Sequence, residues 1–314
     1  MPVGSVLEAI GRTPLVSLSR ISNRRGLRFH AKLEFYNPGL SVKDRVAKRL
    51  IEEAEEKNLI RPGDTVIERT SGNMGTGLAL VCAVKGYRFV AVMSEGNSVE
   101  RRKMLSAMGA DVILVPQAPG GRPGFVSGED LELVEQKTVV LKEELHAYRP
   151  DQFNNPEAAR AHELTTGEEI WEQMEGKLDA FVAYVGSGGT FVGVSRALKK
   201  HDPSIKCYAV EPELAPYLAG GRVISTRHRI QGGGYAFKPK FWDERLVDGY
   251  LTVSDSEAIA AARMLAQREG IFAGFSAGAN VAAIVKLGQD LEGGDVVTII
   301  PDSGLKYLST DLFA

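Results

Sequence analysis

Short apolar runs of strand character alternate along this chain with longer stretches whose apolar positions recur every three or four residues. Val66-Ile67-Glu68 precedes a helical stretch at 75–84; residues 88–93 read as a strand, 99–108 as a helix and 111–115 as a further strand. A second series begins with a strand at 180–185, passes through a helix at 191–200, and continues to strands at 207–210 and 295–300. Between the two series, the Gly- and Pro-rich segment 117–128 predicts a surface loop, followed by a short helix over 130–136. A strand that feeds a helix and then another strand builds a parallel sheet with helices on both faces. The expectation is an α/β protein of two doubly wound domains sharing a cleft, and such sheets bind ligands beyond the carboxyl ends of their strands.

Length fits this reading, since 314 residues exceed the usual single domain. A formal charge of −2 and a pI near 6.3 supply no clustered cationic surface, so neither nucleic acid nor an acidic membrane is an expected partner. The first residues lack the basic and apolar regions of a secretory signal, and no stretch approaches 18 apolar residues, so a cytoplasmic protein is expected. Cys82 and Cys207 stand in apolar settings without CxxC spacing and read as buried reduced thiols. The five histidines are scattered, and no metal site is expected.

Four constellations carry candidate chemistry. In Ser41-Val42-Lys43-Asp44-Arg45, apolar Val46, Leu50, Ile51 and Ala54 mark a helix for which Ser41 would be the N-cap and Lys43 a first-turn residue. A cation is disfavoured at a helix N-terminus. The pentapeptide by itself fits a solvated lysine, but the same placement lowers an amine's pKa and makes it a better nucleophile. Gly186, Ser187, Gly188, Gly189 and Thr190 lie between a strand and a helix, where backbone N–H groups, two hydroxyls and the helix dipole would cup a phosphate. The segment has neither the Walker nor the GxGxxG pattern. Thr70, Ser71, Gly72, Asn73, Met74 and Gly75 occupy the equivalent position after the first strand and would grip a carboxylate, or simply cap the helix. Ser276 lies in a turn over 274–280 ahead of a helix at 281–287 and offers one neutral hydrogen bond.

Taken in order, these segments resemble the cysteine synthase and cystathionine β-synthase family of fold type II pyridoxal 5'-phosphate (PLP) enzymes. The likeness also takes in Gly11-Arg12-Thr13-Pro14-Leu15, Asn37-Pro38, Ser98-Val99-Glu100-Arg101-Arg102, Gln152-Phe153, Asn155-Pro156, residues 228–232, and Pro301-Asp302-Ser303-Gly304 with Tyr307-Leu308-Ser309-Thr310. It implies a tryptophan synthase β-like fold, with residues 40–146 as the smaller mobile domain and 1–39 plus 147–314 as the larger one carrying the phosphate cup. It implies that Lys43 holds PLP as a Schiff base and shuttles protons. Asn73 would contact the cofactor's phenolic oxygen, Gly186 to Thr190 its phosphate, and Ser276 its pyridine nitrogen. Thr70, Ser71, Gly72, Asn73, Met74 and Gln152 would bind the substrate carboxylate. A neutral hydroxyl at the ring nitrogen makes a weaker electron sink, which suits elimination over transamination. The implied reaction replaces the β-substituent of an activated L-serine, O-acetyl- or O-phosphoserine, with a small nucleophile, sulfide by default, via an aminoacrylate. A homodimer is implied as well, and because Tyr307 stands near the last residue, no appended regulatory domain or haem-binding extension is expected.

Some positions depart from the family pattern. Met74 stands where a threonine is usual, Arg69 where a proline is typical, and Gly232-Gly233-Gly234-Tyr235 has glycine in place of isoleucine. These departures keep open a cystathionine β-synthase-like enzyme, a synthase using a nitrogen nucleophile, and a β-elimination lyase. A protein retained only as a binding partner is opposed by the intact Lys43. For a phosphorylated donor, Arg69, Arg122, Arg222 and Arg227 are the candidate cations.

Overall fold

The structure, a computed structural model, describes residues 2–22, 24–70, 72–122, 124 and 126–314. Among the described residues, nine strands and nine α-helices follow one another. A short hairpin, β1 (Leu15–Ser17) and β2 (Leu27–Leu33), leads into α1 (Lys43–Glu56). Then come β3 (Thr65–Arg69), α2 (Asn73–Lys85), β4 (Arg88–Ser94), α3 (Val99–Ala107), β5 (Asp111–Val115) and α4 (Gly128–Glu144). The helices α5 (Glu157–His162) and α6 (Glu168–Gln173) are joined by a π-turn. The remaining elements are β6 (Ala180–Tyr184), α7 (Gly189–His201), β7 (Lys206–Pro212), β8 (Gly249–Val253), α8 (Asp255–Met264), α9 (Phe275–Asp290) and β9 (Gly294–Ile300).

Two sheets result. The larger runs β1-β2-β9-β6-β7-β8 and is parallel except for β1, while the smaller is β3-β4-β5, wholly parallel. Tyr148 continues the smaller sheet on the outer side of β3 by exchanging backbone hydrogen bonds with Thr65 and Ile67. The strands are apolar on both faces because helices cover both: β6 is buried at all five positions and β9 at six of seven.

Strand positions follow the expectation closely, whereas some helix starts do not. The expected short helix at 130–136 is the 17-residue α4, which begins early because Ser127 and Asp130 form a reciprocal capping box and runs on because Thr138 and Leu141 are buried. The residue capping α1 is Val42 rather than Ser41, although Ser41 Oγ still accepts a hydrogen bond from the Lys43 amide at 3.3 Å. The expected turn at 274–280 is already the first turn and a half of α9. Its glycine there is needed for packing, because a Cβ on Gly278 would overlap the Ala258 carbonyl of α8. The N-terminal hairpin, β8 and the α5–α6 pair had no expectation attached.

Asn280 ties α9 to the large sheet. Its Oδ1 accepts from the Tyr184 amide at 2.6 Å and its Nδ2 donates to the Ile299 carbonyl at 2.7 Å, so one buried side chain serves the ends of both β6 and β9. Truncation would strand both backbone groups away from water. Asn280→Ala should cost about 2 to 4 kcal/mol, read as a lower urea midpoint at unchanged slope; an unchanged midpoint would show that the bridge contributes nothing.

Candidate active site

Parallel sheets bind ligands where strand order reverses, and this chain has two such places facing each other. In the large sheet the chain moves outward from β6 to β7 and β8 and then returns to β9 on the other side of β6. In the small sheet it moves from β3 to β4 and β5 and then returns to Tyr148 beside β3. The cavity between them is lined by Tyr184, Gly186, Ile299 and Pro301 from the first reversal and by Arg69, Thr70, Gln152 and Phe153 from the second. Lys43 sits between the two groups.

Lys43 is the first residue of α1, and its loop is fastened to the end of β9. The Val42 amide donates to the Pro301 carbonyl at 2.8 Å, and Ser41 bridges to Asp302. Protein around the amine pushes its pKa down to about 8, and the carboxylate of Asp302 opposes that shift. The reading of a solvated surface lysine does not hold, because Lys43 is partly buried and lines the cavity rather than the outer surface.

The glycine-rich turn after β6 is shaped by backbone contact. A Cβ on Gly186 would collide with the Gly232 carbonyl, and one on Gly189 would come within 2.8 Å of the Ala158 carbonyl. Gly188 has φ +85°, a conformation that favours glycine. Gly186, Ser187, Gly188 and Thr190 line the cavity, whereas Gly189 faces α5 and supports the turn from behind. Thr190 Oγ1 lies 3.3 Å from His162 Nε2, whose Nδ1 lies 2.9 Å from Thr166 Oγ1. Burial holds His162 well below its usual pKa and therefore neutral.

The turn after β3 brings Thr70, Asn73 and Met74 to the same cavity, with Gln152 on the same side. Thr70 Oγ1 accepts from the Gly72 and Gly75 amides, at 3.1 and 2.7 Å, and so is committed partly to opening α2. Gly72, at φ +126°, does not line the cavity; Arg101 packs where its side chain would be. Ser71 lies outside the described residues. Ser276 lines the cavity from the first turn of α9.

Three groups escaped the sequence reading. Asp302 and Lys306, both fully buried, reach Asn73, although Pro301-Asp302-Ser303-Gly304 had been noted as a motif without a role for its carboxylate. Buried Glu68, at the end of β3, stands beside Arg149 and receives the Gln152 amide at 3.4 Å; burial raises its pKa to about 7. Of the four candidate cations only Arg69 lines the cavity, where it is paired with Glu135 and lies 4.8 Å over the Phe153 ring. Arg122, Arg222 and Arg227 are exposed, and Arg227 pairs with Glu129. Both cysteines are buried and unpaired, with thiols pushed up to about 12 and about 11. Among the described residues no group of His, Cys, Asp or Glu gathers as a metal site, and no helix is long and apolar enough to cross a membrane.

The pattern of the family described as pyridoxal-phosphate dependent enzyme matches residues 6–302. The chain belongs to that family. It is 43% identical to cysteine synthase of Staphylococcus aureus over 315 aligned residues, covering the whole of this chain and 98% of the relative. Among solved structures, O-ureido-L-serine synthase superposes with a TM-score of 0.91 at 40% identity, over 100% of this chain and 96% of the other. An O-acetylserine dependent cystathionine β-synthase from Helicobacter pylori gives 0.91 at 36% identity, over all of both chains. The fold is that of the fold type II PLP enzymes, and the protein is a PLP-dependent enzyme of the cysteine synthase type. The cavity fits such a cofactor, since a desolvated amine of lowered pKa faces a cup from which side chains are excluded by backbone contact.

Lowered basicity has a direct readout. In cofactor-free protein, reductive methylation of Lys43, followed by peptide mass mapping, should rise with pH about a midpoint near 8, because the neutral amine is the reactive form and its fraction grows above the pKa. A midpoint near that of an ordinary lysine, about 10.4, would reject the desolvated setting.

Proposed function

We propose that the enzyme replaces the β-substituent of an activated L-serine, O-acetyl- or O-phosphoserine, with a small nucleophile, sulfide by default, giving a β-substituted L-alanine such as cysteine. The observation that carries this reading is the placement of Lys43, a desolvated amine of pKa about 8, opposite the glycine cup and beside the carboxylate-gripping turn. When bound, the cofactor supplies an electrophilic carbonyl carbon and a ring that draws electrons from the substrate's α-carbon.

The chain's own residues supply the rest. Lys43 Nζ would hold the cofactor and, when its amine is free, would take the substrate's α-proton and return it later. Near pH 8 both of its protonation states are well populated, which suits a group that must accept and give back a proton. Gly186, Ser187, Gly188 and Thr190 hold the phosphate, with Gly189 supporting the turn and the α7 dipole adding attraction. Ser276, which lines the cavity, would offer the ring nitrogen a neutral hydroxyl. Thr70 and Gln152 would receive the substrate carboxylate together with the backbone amides opening α2, with Ser71, Gly72 and Met74 adjoining in sequence, and Asn73 would present an N–H to the cofactor's phenolic oxygen. Residues 40–146 are the unit that would close over the substrate, carrying Lys43 and this turn together toward the glycine cup of the larger unit.

A second nucleophile class has its own support. Met74, almost fully buried, gives the carboxylate turn an apolar wall, and Tyr235 lines the cavity with Phe153. Both give the cavity an apolar surface suited to a nucleophile bulkier than sulfide, in line with similar structures named for O-ureido-L-serine and cystathionine.

Holoenzyme given O-acetyl- or O-phosphoserine with sulfide should form cysteine, identified by mass spectrometry, and Lys43→Ala should lower turnover on the order of a thousandfold or more. Pyruvate release that no added nucleophile diverts would overturn replacement in favour of a lyase. Selective consumption of a larger thiol or of a nitrogen nucleophile in place of sulfide would assign the second class.

A further inference from the structure

Asn73 has both ends of its amide engaged from below the cavity. Its Oδ1 accepts from Lys306 Nζ at 2.8 Å and its Nδ2 donates to Asp302 Oδ2 at 2.7 Å. An amide nitrogen carries two protons, so one N–H remains for a ligand while the carbonyl oxygen is turned away. The partners are as constrained as the asparagine. Lys306 is 1% exposed and also donates to the Gly39 carbonyl at 2.9 Å. Asp302 is wholly buried, its Oδ2 accepts a second bond from the Tyr307 hydroxyl at 2.6 Å, and its Oδ1 is buried without a partner among the described residues.

An unassisted asparagine could present either end, since carbonyl and amino groups are nearly equal in shape. Here a flip would set the Asn73 NH2 against the Lys306 ammonium and its carbonyl against the Asp302 carboxylate. Both contacts would be repulsive in a site removed from water, where unmatched polar groups are costly. We propose that Lys306 and Asp302 are positioning residues that lock the Asn73 amide with an N–H toward the cavity, making the site selective for an anionic oxygen there. This rests on the reading of Asn73 as the residue facing the cofactor's phenolic oxygen. It explains why a buried lysine, its pKa lowered to about 8 by desolvation, stands directly behind the site without reaching it.

The test compares dissociation constants of PLP and its 3-deoxy analogue, which lacks the phenolic oxygen, by fluorescence titration in a Lys43→Ala background, where no covalent bond forms. With the lock intact PLP should bind about tenfold or more tighter than the analogue, the scale of one hydrogen bond to a charged group. Lys306→Met should bring that ratio close to one, and Lys306→Gln, which keeps an N–H donor for Asn73, should restore most of it. If Lys306→Met does not fold, the double variant Lys306→Met/Asp302→Asn removes the buried pair together and should show the same loss. A purely structural role would weaken both ligands alike and leave the ratio unchanged, which would overturn the lock. Asn73→Ala separates the two claims. If it leaves the ratio unchanged, the reading of Asn73 fails; if it abolishes the ratio while the Lys306 variants do not, the lock alone fails.

Discussion

The architecture turns on keeping an amine away from water at the start of a helix, where the macrodipole already disfavours a positive charge. Two costs therefore fall on Lys43, and one acid, Asp302, opposes both. That carboxylate has to be close, so the end of β9 and the loop before α1 are bound to each other through Val42, Ser41 and the Lys306 contact with Gly39. Asp302 is shared by two lysines and an asparagine, and therefore the loop before α1, the start of α2 and the segment after β9 cannot be placed independently. The C-terminal segment is as much a part of the site as the helix that carries Lys43. Its grip extends to α3, where Arg101 lies 5.1 Å over the Tyr307 ring and Ser309 donates to Glu100.

Facing strand reversals give that requirement a location. Each sheet alone would leave a crevice open on one side; opposed, they enclose a space with helix N-termini pointing in from α2 and α7. Both helices begin on backbone in the positive-φ region, at Gly72 and Gly188, and both starts press against neighbouring chain. The two crevices are nevertheless chemically different. The turn before α7 is walled by backbone carbonyls from Gly232 and Ala158, which fixes its shape, whereas the turn before α2 is walled by the Arg101 side chain and can yield. A rigid cup suits a permanent cofactor and a yielding one suits a substrate that comes and goes.

Strands β3 to β7 and β9 were legible in the sequence as short, continuous apolar runs, whereas β1, β2 and β8 were not. Asn73 and the glycine cup were legible because each follows a strand and opens a helix, so that local order puts them at strand ends; Lys43 and Ser276 open helices that do not directly follow a strand, and the family resemblance is what singled them out. Helix starts were less so: α4 depends on a capping box that a Gly/Pro-rich approach disguised, and α9 begins inside what reads as a turn because its small residues are there for contact with α8. Asp302 and Lys306 were illegible for a different reason. Each lies more than 200 residues from Asn73, and a buried acid and lysine near the end of a chain look the same as exposed ones until the fold brings them beneath the site.

The positions that depart from the family pattern are not all of one kind, and the structure separates them. Gly233 faces the Val185 carbonyl and the Tyr184 ring, so closely that a Cβ would overlap both, and Gly234 has φ +67° against His228. A branched residue at Gly233 would need this segment to follow another path. The glycines are thus a consequence of how closely residues 232–234 approach the end of β6. Met74, Arg69 and Tyr235 differ from them in reaching the cavity itself. Arg69 is held by Glu135 and stacked on Phe153, whose ring lies 6.0 Å from that of Tyr235. Together they form a wall that is apolar in its middle and cationic at its edge, with the cation already balanced. Such a wall accepts a flat or aliphatic group more readily than it holds a free anion. Arg69 and Phe153 come from the small-sheet side, and Tyr235 reaches Phe153 from the segment packed beside the end of β6. Variation there can change what the enzyme joins to the serine skeleton without disturbing how Lys43 is kept dry.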